Sequence, residues 1–351
     1  MSFSRLGRRR TPAGVALLAS AALLAGCSSA STAASSSSAP ASAPAAAATG
    51  PIQIAYLSFA VANSYDAPML AAAQTVAAED NATLTVFDAN NDPKAQYSQL
   101  QNVISSGTYQ AVIVQPIFGT GLTDLVSQAI TKGIKVVNID QILGPDLSTA
   151  QPQVTGLSAN VTFVPTDMGT KLGKLAVQAC ASKNLNPCKV GYLYDIKASS
   201  LDVAIQKAFA AATAGTGVQV VAEGQDFFTP AGGLKAVQDM LTAHPDLGAV
   251  VGSDQGIEGA VQALAGAGKT GKVLLVGYGG SATGLSGVSA GTWFGTIMQT
   301  PATEGRLGTS AAVKAVRDST VTGGVDPLAS FPDGGVVTAA NVSKFTAEWP
   351  G

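Results

Sequence analysis

The chain has 351 residues, 46% of them hydrophobic and 12% charged, which is long enough for two domains with separate cores. Its formal charge is −2, but after residue 26 there are 16 basic against 22 acidic side chains, so no Lys/Arg cluster offers a footprint for nucleic acid. Three Cys and one His leave too few ligands for a Cys/His zinc site and confine His-dependent nucleophilic catalysis to His244.

The first 27 residues have a basic region ending at Arg10, a small-apolar run from Ala13 to Ala25, and then Leu24-Ala25-Gly26-Cys27. The run is too short to span a bilayer and fits the apolar region of a signal peptide. Leu-Ala-Gly-Cys resembles the bacterial lipobox, so residues 1–27 are expected to be a lipoprotein signal with Cys27 acylated. An ordinary secretory signal with an incidental Cys is the alternative, and the three consecutive Arg leave the export route open between general secretion and twin-Arg transport. Residues 28–50 are almost wholly Ser, Ala, Thr and Pro, a composition that cannot bury enough surface to offset its ordering entropy. A spacer is expected there. The body is then held at the outer face of the cell membrane, outside the cytoplasm.

From Pro51 onward, apolar runs alternate with helical patterns. Strands are expected at 52–57, 84–87, 111–115 and 134–140, with helices near 67–79, 94–106 and 122–132. After Ala150 the cycle restarts, with strands at 189–194, 218–222, 248–252, 272–278 and 293–298. The helices of this second cycle fall near 167–182, 201–214, 231–243 and 256–266. Runs such as Ala111-Val-Ile-Val114 are apolar throughout, as when helices cover both faces of a sheet. Short connections between alternating strands and helices imply parallel sheets with right-handed crossovers. Two doubly wound α/β domains follow. Cys180 and Cys188 flank a helix-ending loop; in an oxidising compartment the pair reads as a disulfide, two free thiols being the other reading.

In such sheets ligands bind beyond the carboxyl ends of the strands. The segments placed there are Phe59 to Asp66, Pro116 to Gly121, Asp140-Gln141, Asp195 to Asp202, Asp226 to Thr229, Ser253 to Gln255, Tyr278 to Gly280, and Gln299. The string Gly266-Ala-Gly-Lys-Thr-Gly271 has the spacing of a dinucleotide fingerprint but runs from helix to strand, the reverse polarity, so it reads as a helix C-cap and turn. His244 falls in a helix-to-strand turn away from these ends. Asp66, Asp140, Asp254 and Glu258 could be imagined as acid/base pairs, yet carboxylates accepting from ligand hydroxyls explain them equally well.

Asn63-Ser-Tyr65, Asn91-Asp-Pro93, Val137-Asn-Ile-Asp140, Leu241-Thr-Ala-His-Pro-Asp246, Ser253-Asp254-Gln255, Val276-Gly-Tyr-Gly-Gly280 and Thr296-Ile-Met-Gln299 together resemble the ribose-binding-like cluster of type I periplasmic binding proteins. These are the substrate-binding proteins of bacterial ABC importers. The resemblance covers about Ile52 to the C-terminus. It implies two Rossmann-like lobes joined by a three-strand hinge, lobe 1 being 51–164 plus 300–332 and lobe 2 being 165–299 plus 333–351. It also implies a solute-binding receptor that closes on its ligand and presents it to an ABC permease, as a monomer without cofactor, metal or catalytic residues. A receptor of the same fold signalling to a membrane partner is the alternative.

Carried over position by position, Asn63 and Tyr65 keep an Asn and an aromatic, Asp140 a carboxylate, Phe227 the second-lobe aromatic, and Gln299 the hinge amide. Asp66 stands where a second aromatic is expected, Gln141 and Ile205 where Arg is expected, Ser253 where Asn is expected, and Gly279 where Asp is expected. Losing two Arg and an Asp removes most fork-shaped recognition of vicinal hydroxyls and disfavours ribose. The expected guest is a small neutral solute: another sugar, a polyol or a partly apolar cyclic molecule. The expected ligand-binding set is Asn63, Tyr65, Asp66, Asp140, Gln141, Phe227, Ser253, Asp254, Tyr278 and Gln299.

Overall fold

The computed structural model describes residues 50–351; the expected signal peptide, Cys27 and the spacer up to residue 49 lie outside them. In chain order the elements are β1 (Ile52–Ser58), α1 (Asp66–Glu79), β2 (Ala82–Asp88), α2 (Pro93–Ser106), β3 (Ala111–Val114), α3 (Gly119–Thr131), β4 (Lys135–Asp140) and β5 (Ala159–Thr162). They continue with α4 (Pro165–Ser182), β6 (Cys188–Tyr194), α5 (Ser200–Thr213), β7 (Val218–Gln225), α6 (Pro230–Ala243), β8 (Ala249–Ser253), α7 (Asp254–Gly266) and β9 (Leu274–Tyr278). The last are α8 (Ala282–Ser289), β10 (Gly295–Ile297), α9 (Pro301–Asp318), β11 (Gly323–Val325) and β12 (Val336–Thr338). No helix among the described residues is long and apolar enough to cross a membrane.

The strands form two six-stranded sheets, ordered β11-β5-β4-β3-β1-β2 and β12-β10-β9-β8-β6-β7. Every pairing is parallel except that of β12, which runs antiparallel along β10. Parallel order with helices on both faces explains the unbroken apolar runs: all four residues of β3 are wholly buried. The protein is thus two doubly wound α/β lobes. The chain passes between them three times, between β5 and α4, between β10 and α9, and between β11 and β12.

Close helix contacts hold each lobe. A Cβ on Gly169 of α4 would lie 2.1 Å from the Ile205 carbonyl oxygen of α5, and one on Gly305 of α9 would lie 2.1 Å from the Met69 carbonyl oxygen of α1. Only hydrogen fits at these crossings. Cys180 at the end of α4 is bonded to Cys188 at the start of β6, with a Cα–Cα distance of 5.9 Å. Both cysteines are buried, so the bridge fastens the α4–β6 loop to the second-lobe core.

Candidate functional site

The carboxyl ends of both sheets face one cleft, whose space free of protein atoms, about 530 Å³, includes its opening to solvent. From the first lobe it is lined by Phe59, Asn63, Tyr65, Asp66, Gln115, Asp140 and Gln141, and from the second by Asp195, Leu201, Phe228, Ser253, Gln255 and Tyr278. Phe163 and Gln299, at two of the crossings, and Trp349, near the C-terminus, complete the wall.

Local geometry aims each first-lobe group. Asn63 accepts the Tyr65 N–H through Oδ1 at 2.8 Å, a turn that carries the chain from β1 into α1. Asp140, the last residue of β4, has φ +65°, a left-handed conformation unusual for a residue with a Cβ. Gln115, just past β3, is held on three sides: its Oε1 accepts the Phe59 N–H at 3.0 Å, and its Nε2 donates to Asp66 Oδ1 at 2.5 Å and to Asp140 Oδ2 at 3.1 Å. Gln96 of α2 ties down the Gln115 carbonyl at 2.7 Å. Both Gln115 amide hydrogens are spent on a pair of carboxyls that no base accompanies. Burial, reinforced by the charge of Asp140, pushes Asp66 up to about 8. Burial pushes Asp140 up to about 6 against the opposing hydrogen bonds of Gln115 and Tyr65.

The second lobe repeats the arrangement. Tyr278, at the end of β9, presents its ring to the cleft and donates its hydroxyl to Asp195 at the end of β6. Burial first, and then the charge of neighbouring Asp226, drive Asp195 well above the usual carboxyl range. Burial takes Asp226 up to about 7 despite its bond from the Ser253 hydroxyl at 3.1 Å. Asp202 behind them accepts the N–H groups of Asp195 and Ile196 and is pushed up to about 7 by burial and by Asp195.

The aromatics meet edge to face across the space. Phe59 and Phe228 have ring centroids 5.9 Å apart, and Tyr65 and Trp349 5.3 Å apart. Trp349 is anchored by its Nε1–H donating to the Gly279 carbonyl at 2.8 Å. Gly279 has φ +138°, and a Cβ there would sit 2.6 Å from the Trp349 ring, so the indole takes the room of the Asp expected at this position.

Eight residues of the sequence-expected ligand set line the cleft: Asn63, Tyr65, Asp66, Asp140, Gln141, Ser253, Tyr278 and Gln299. Two do not. Phe227 is 56% exposed and points away, because Phe227 and Phe228 are both left-handed, at φ +56° each. An Asp226 Oδ1 bond to the Phe228 N–H at 2.8 Å fixes that turn and delivers the next ring, Phe228, to the cleft. Asp254 is wholly buried behind the wall, where Oδ2 accepts the Ser281 N–H and hydroxyl at 2.8 Å each and Oδ1 accepts the Thr296 hydroxyl at 2.6 Å. It joins α7, α8 and β10 and has no bonding capacity facing the cleft. Ile205 is core; Leu201, one turn earlier on α5, is the side chain that reaches the space.

Phe59, Asp195 and Gln255 fell within the strand-end segments without being singled out. Gln115 reads in sequence as the polar end of a strand. Leu201 also falls in a strand-end segment, whereas Phe163 and Trp349 carry no local signal, since only tertiary packing brings them to the cleft.

The family profile described as "Periplasmic binding protein domain" matches residues 54–320. The chain is 28% identical over 239 residues to the ribose import binding protein of Escherichia coli strain K12, covering 68% of this chain and 76% of the relative. It superposes with TM-score 0.71 and 26% identity on an ABC transporter solute-binding protein from Mycobacterium smegmatis with bound glycerol, covering 86% of this chain and 100% of that one. A Bacillus halodurans C-125 solute-binding protein with bound myo-inositol shares the fold, with TM-score 0.74 at 21% identity, over 86% and 99% of the two chains.

Proposed function

The chain belongs to the periplasmic binding protein domain family, and from that premise we propose that it is the extracytoplasmic solute receptor of an ABC importer. It is a binding protein and not an enzyme. The solute is a small cyclic molecule of the sugar or polyol class, held between the lobes. One observation carries this reading: a single cleft at the carboxyl ends of both sheets combines facing aromatic rings with polar side chains that the protein leaves unspent. Gln299, 8% exposed, lines the cleft and its side-chain amide has no hydrogen-bond partner among the described residues. A sugar or polyol ring offers an apolar C–H face for the rings and hydroxyls for such amides.

In this reading the lobes, 51–164 with 300–332 and 165–299 with 333–351, turn about the three crossings. Ligand contacts made from both sides favour closure, because only the closed form collects them all. Residues 1–27 are the signal, Cys27 carries the lipid, and the spacer lets the monomeric receptor reach its permease. Titration calorimetry against a panel of sugars and polyols tests the proposal, with saturable binding to at least one member expected. A panel silent throughout would overturn it. Radiolabelled palmitate incorporated into the wild type and absent from Cys27→Ser is the result expected for the anchor.

A further inference from the structure

Resting on the reading just given, we infer that the cyclic solute carries a protonated amine, so that the cleft takes an amino sugar or aminocyclitol in preference to its neutral counterpart. The inventory of the wall is lopsided. Asp66, Asp140 and Asp195 line the space, each at most 5% exposed, and no Lys, Arg or His lines it. The five ion pairs among the described residues all engage other carboxylates, Asp167, Asp246, Glu223, Asp239 and Asp80.

Donors from the protein do not fill the deficit. Gln115 divides its two hydrogens between Asp66 and Asp140, and the Tyr65 hydroxyl donates to Asp140 Oδ1 over a long 3.5 Å; all are neutral donors. Asp195 receives the Tyr278 hydroxyl on Oδ2, while its buried Oδ1 has no hydrogen-bond partner among the described residues, and the charge of neighbouring Asp226 adds to the deficit. Glu304, buried beneath the first-lobe wall, adds a further carboxyl with no donor to its Oε2. A buried carboxylate without a cation is unfavourable, and the site relieves this by holding protons, by accepting from ligand hydroxyls or, most strongly, by receiving positive charge from outside.

The space suits an organic cation. No group of three His, Cys, Asp or Glu among the described residues could hold a metal ion. Tyr65, Trp349, Phe59 and Phe228 present rings that attract an ammonium as readily as they cover a sugar face. Gln299, Asn63 and Gln141 remain for the hydroxyls. Carboxyls stand on both lobes, so a cation between them draws the lobes together.

The test is calorimetry on the whole protein at pH 7 with matched pairs: D-glucose and D-glucosamine, D-galactose and D-galactosamine, myo-inositol and its monoamino analogue. In at least one pair the amino member is expected to bind about tenfold or more tightly than the neutral one, the ratio given by one charge-assisted hydrogen bond. Asp66→Asn and Asp195→Asn, each checked for a native melting transition, are expected to cut that ratio at least fivefold, the amino member losing more affinity than the neutral one. A neutral member that binds as tightly as its amino partner, or variants that weaken both members equally, would overturn the inference and leave the sugar-class receptor standing. Silence in every pair would overturn the receptor reading itself.

Discussion

Gln255, the second residue of α7, donates its Nε2 hydrogen to the Ser64 hydroxyl at 3.0 Å, joining lobes whose contributing residues lie 191 positions apart. Gln255 is buried, and among the described residues its amide nitrogen makes no other hydrogen bond. The bond exists only while the lobes are together, so its energy enters the closing equilibrium and through it the apparent affinity. A neutral hydrogen bond contributes about 1 kcal/mol net. Ser64→Ala is therefore expected to weaken solute binding by about fivefold with little change in melting temperature. Small-angle scattering of the ligand-free variant should show a larger radius of gyration than wild type. Unchanged affinity and unchanged scattering together would show that the bond does not hold the lobes.

Asp66 sets a pH dependence. Its folded value of about 8 lies above the ordinary carboxyl value, so between about pH 4 and pH 8 the folded ligand-free protein binds more protons than the unfolded chain. The stability this group contributes is present at the acid end and is lost as pH rises through that window. Asp140, raised to about 6, acts in the same direction over the lower half. Asp66→Asn keeps an acceptor for Gln115 and removes the titration. The variant is expected to gain on the order of 2 kcal/mol over wild type at pH 8 and to show a flatter melting temperature between pH 5 and pH 8. Parallel curves for the two proteins would refute the assignment.

Asp254 distinguishes a structural carboxylate from a binding one. It satisfies the Ser281 N–H and hydroxyl and the Thr296 hydroxyl, all buried. Asp254→Ala strands those donors and is expected to destabilise the protein by about 3 kcal/mol, read as a shift in denaturant midpoint. The fraction that remains folded should bind solute with wild-type affinity. A stable variant with weakened binding would return Asp254 to the cleft.

What the sequence disclosed and what it withheld divide along physical lines. Strands β1, β3 and β4 are buried on both faces, and Ala111–Val114, apolar throughout, announces itself without any partner in view. Strand-end placement located Tyr65, Asp140, Tyr278 and Gln299 because in a parallel sheet the carboxyl end follows directly from chain polarity. The edge strands β11 and β12 are three residues long, and nothing local marks them; pairing with β5 and β10 makes them strands. Helix α9 is rich in Gly, Ser and Thr and was equally silent. Gln115 looked like the fringe of a strand, and its role emerges only when three elements converge on its amide. Leu201 rather than Ile205 reaches the cleft because α5 begins at Ser200 and its first turn, not its second, faces the opening.

Adjacent phenylalanines supply the sharpest contrast between the two levels. Composition cannot rank Phe227 against Phe228, since both follow β7 in a loop at the cleft. The ranking comes from two successive left-handed residues locked by the Asp226 side chain, which send the first ring outward and the second onto Phe59 at 5.9 Å. A ring at the wall removes apolar ligand surface from water, and its loss forfeits about 2 kcal/mol or more of that burial. Phe228→Ala is accordingly expected to weaken solute binding by about thirtyfold, with calorimetry as the measure. Phe227→Ala, which deletes an exposed ring, should change affinity by less than about twofold. If the two variants lose affinity equally, the loop turns differently in solution and Phe227 shares the wall; if the order is reversed, the turn described at Asp226 is wrong.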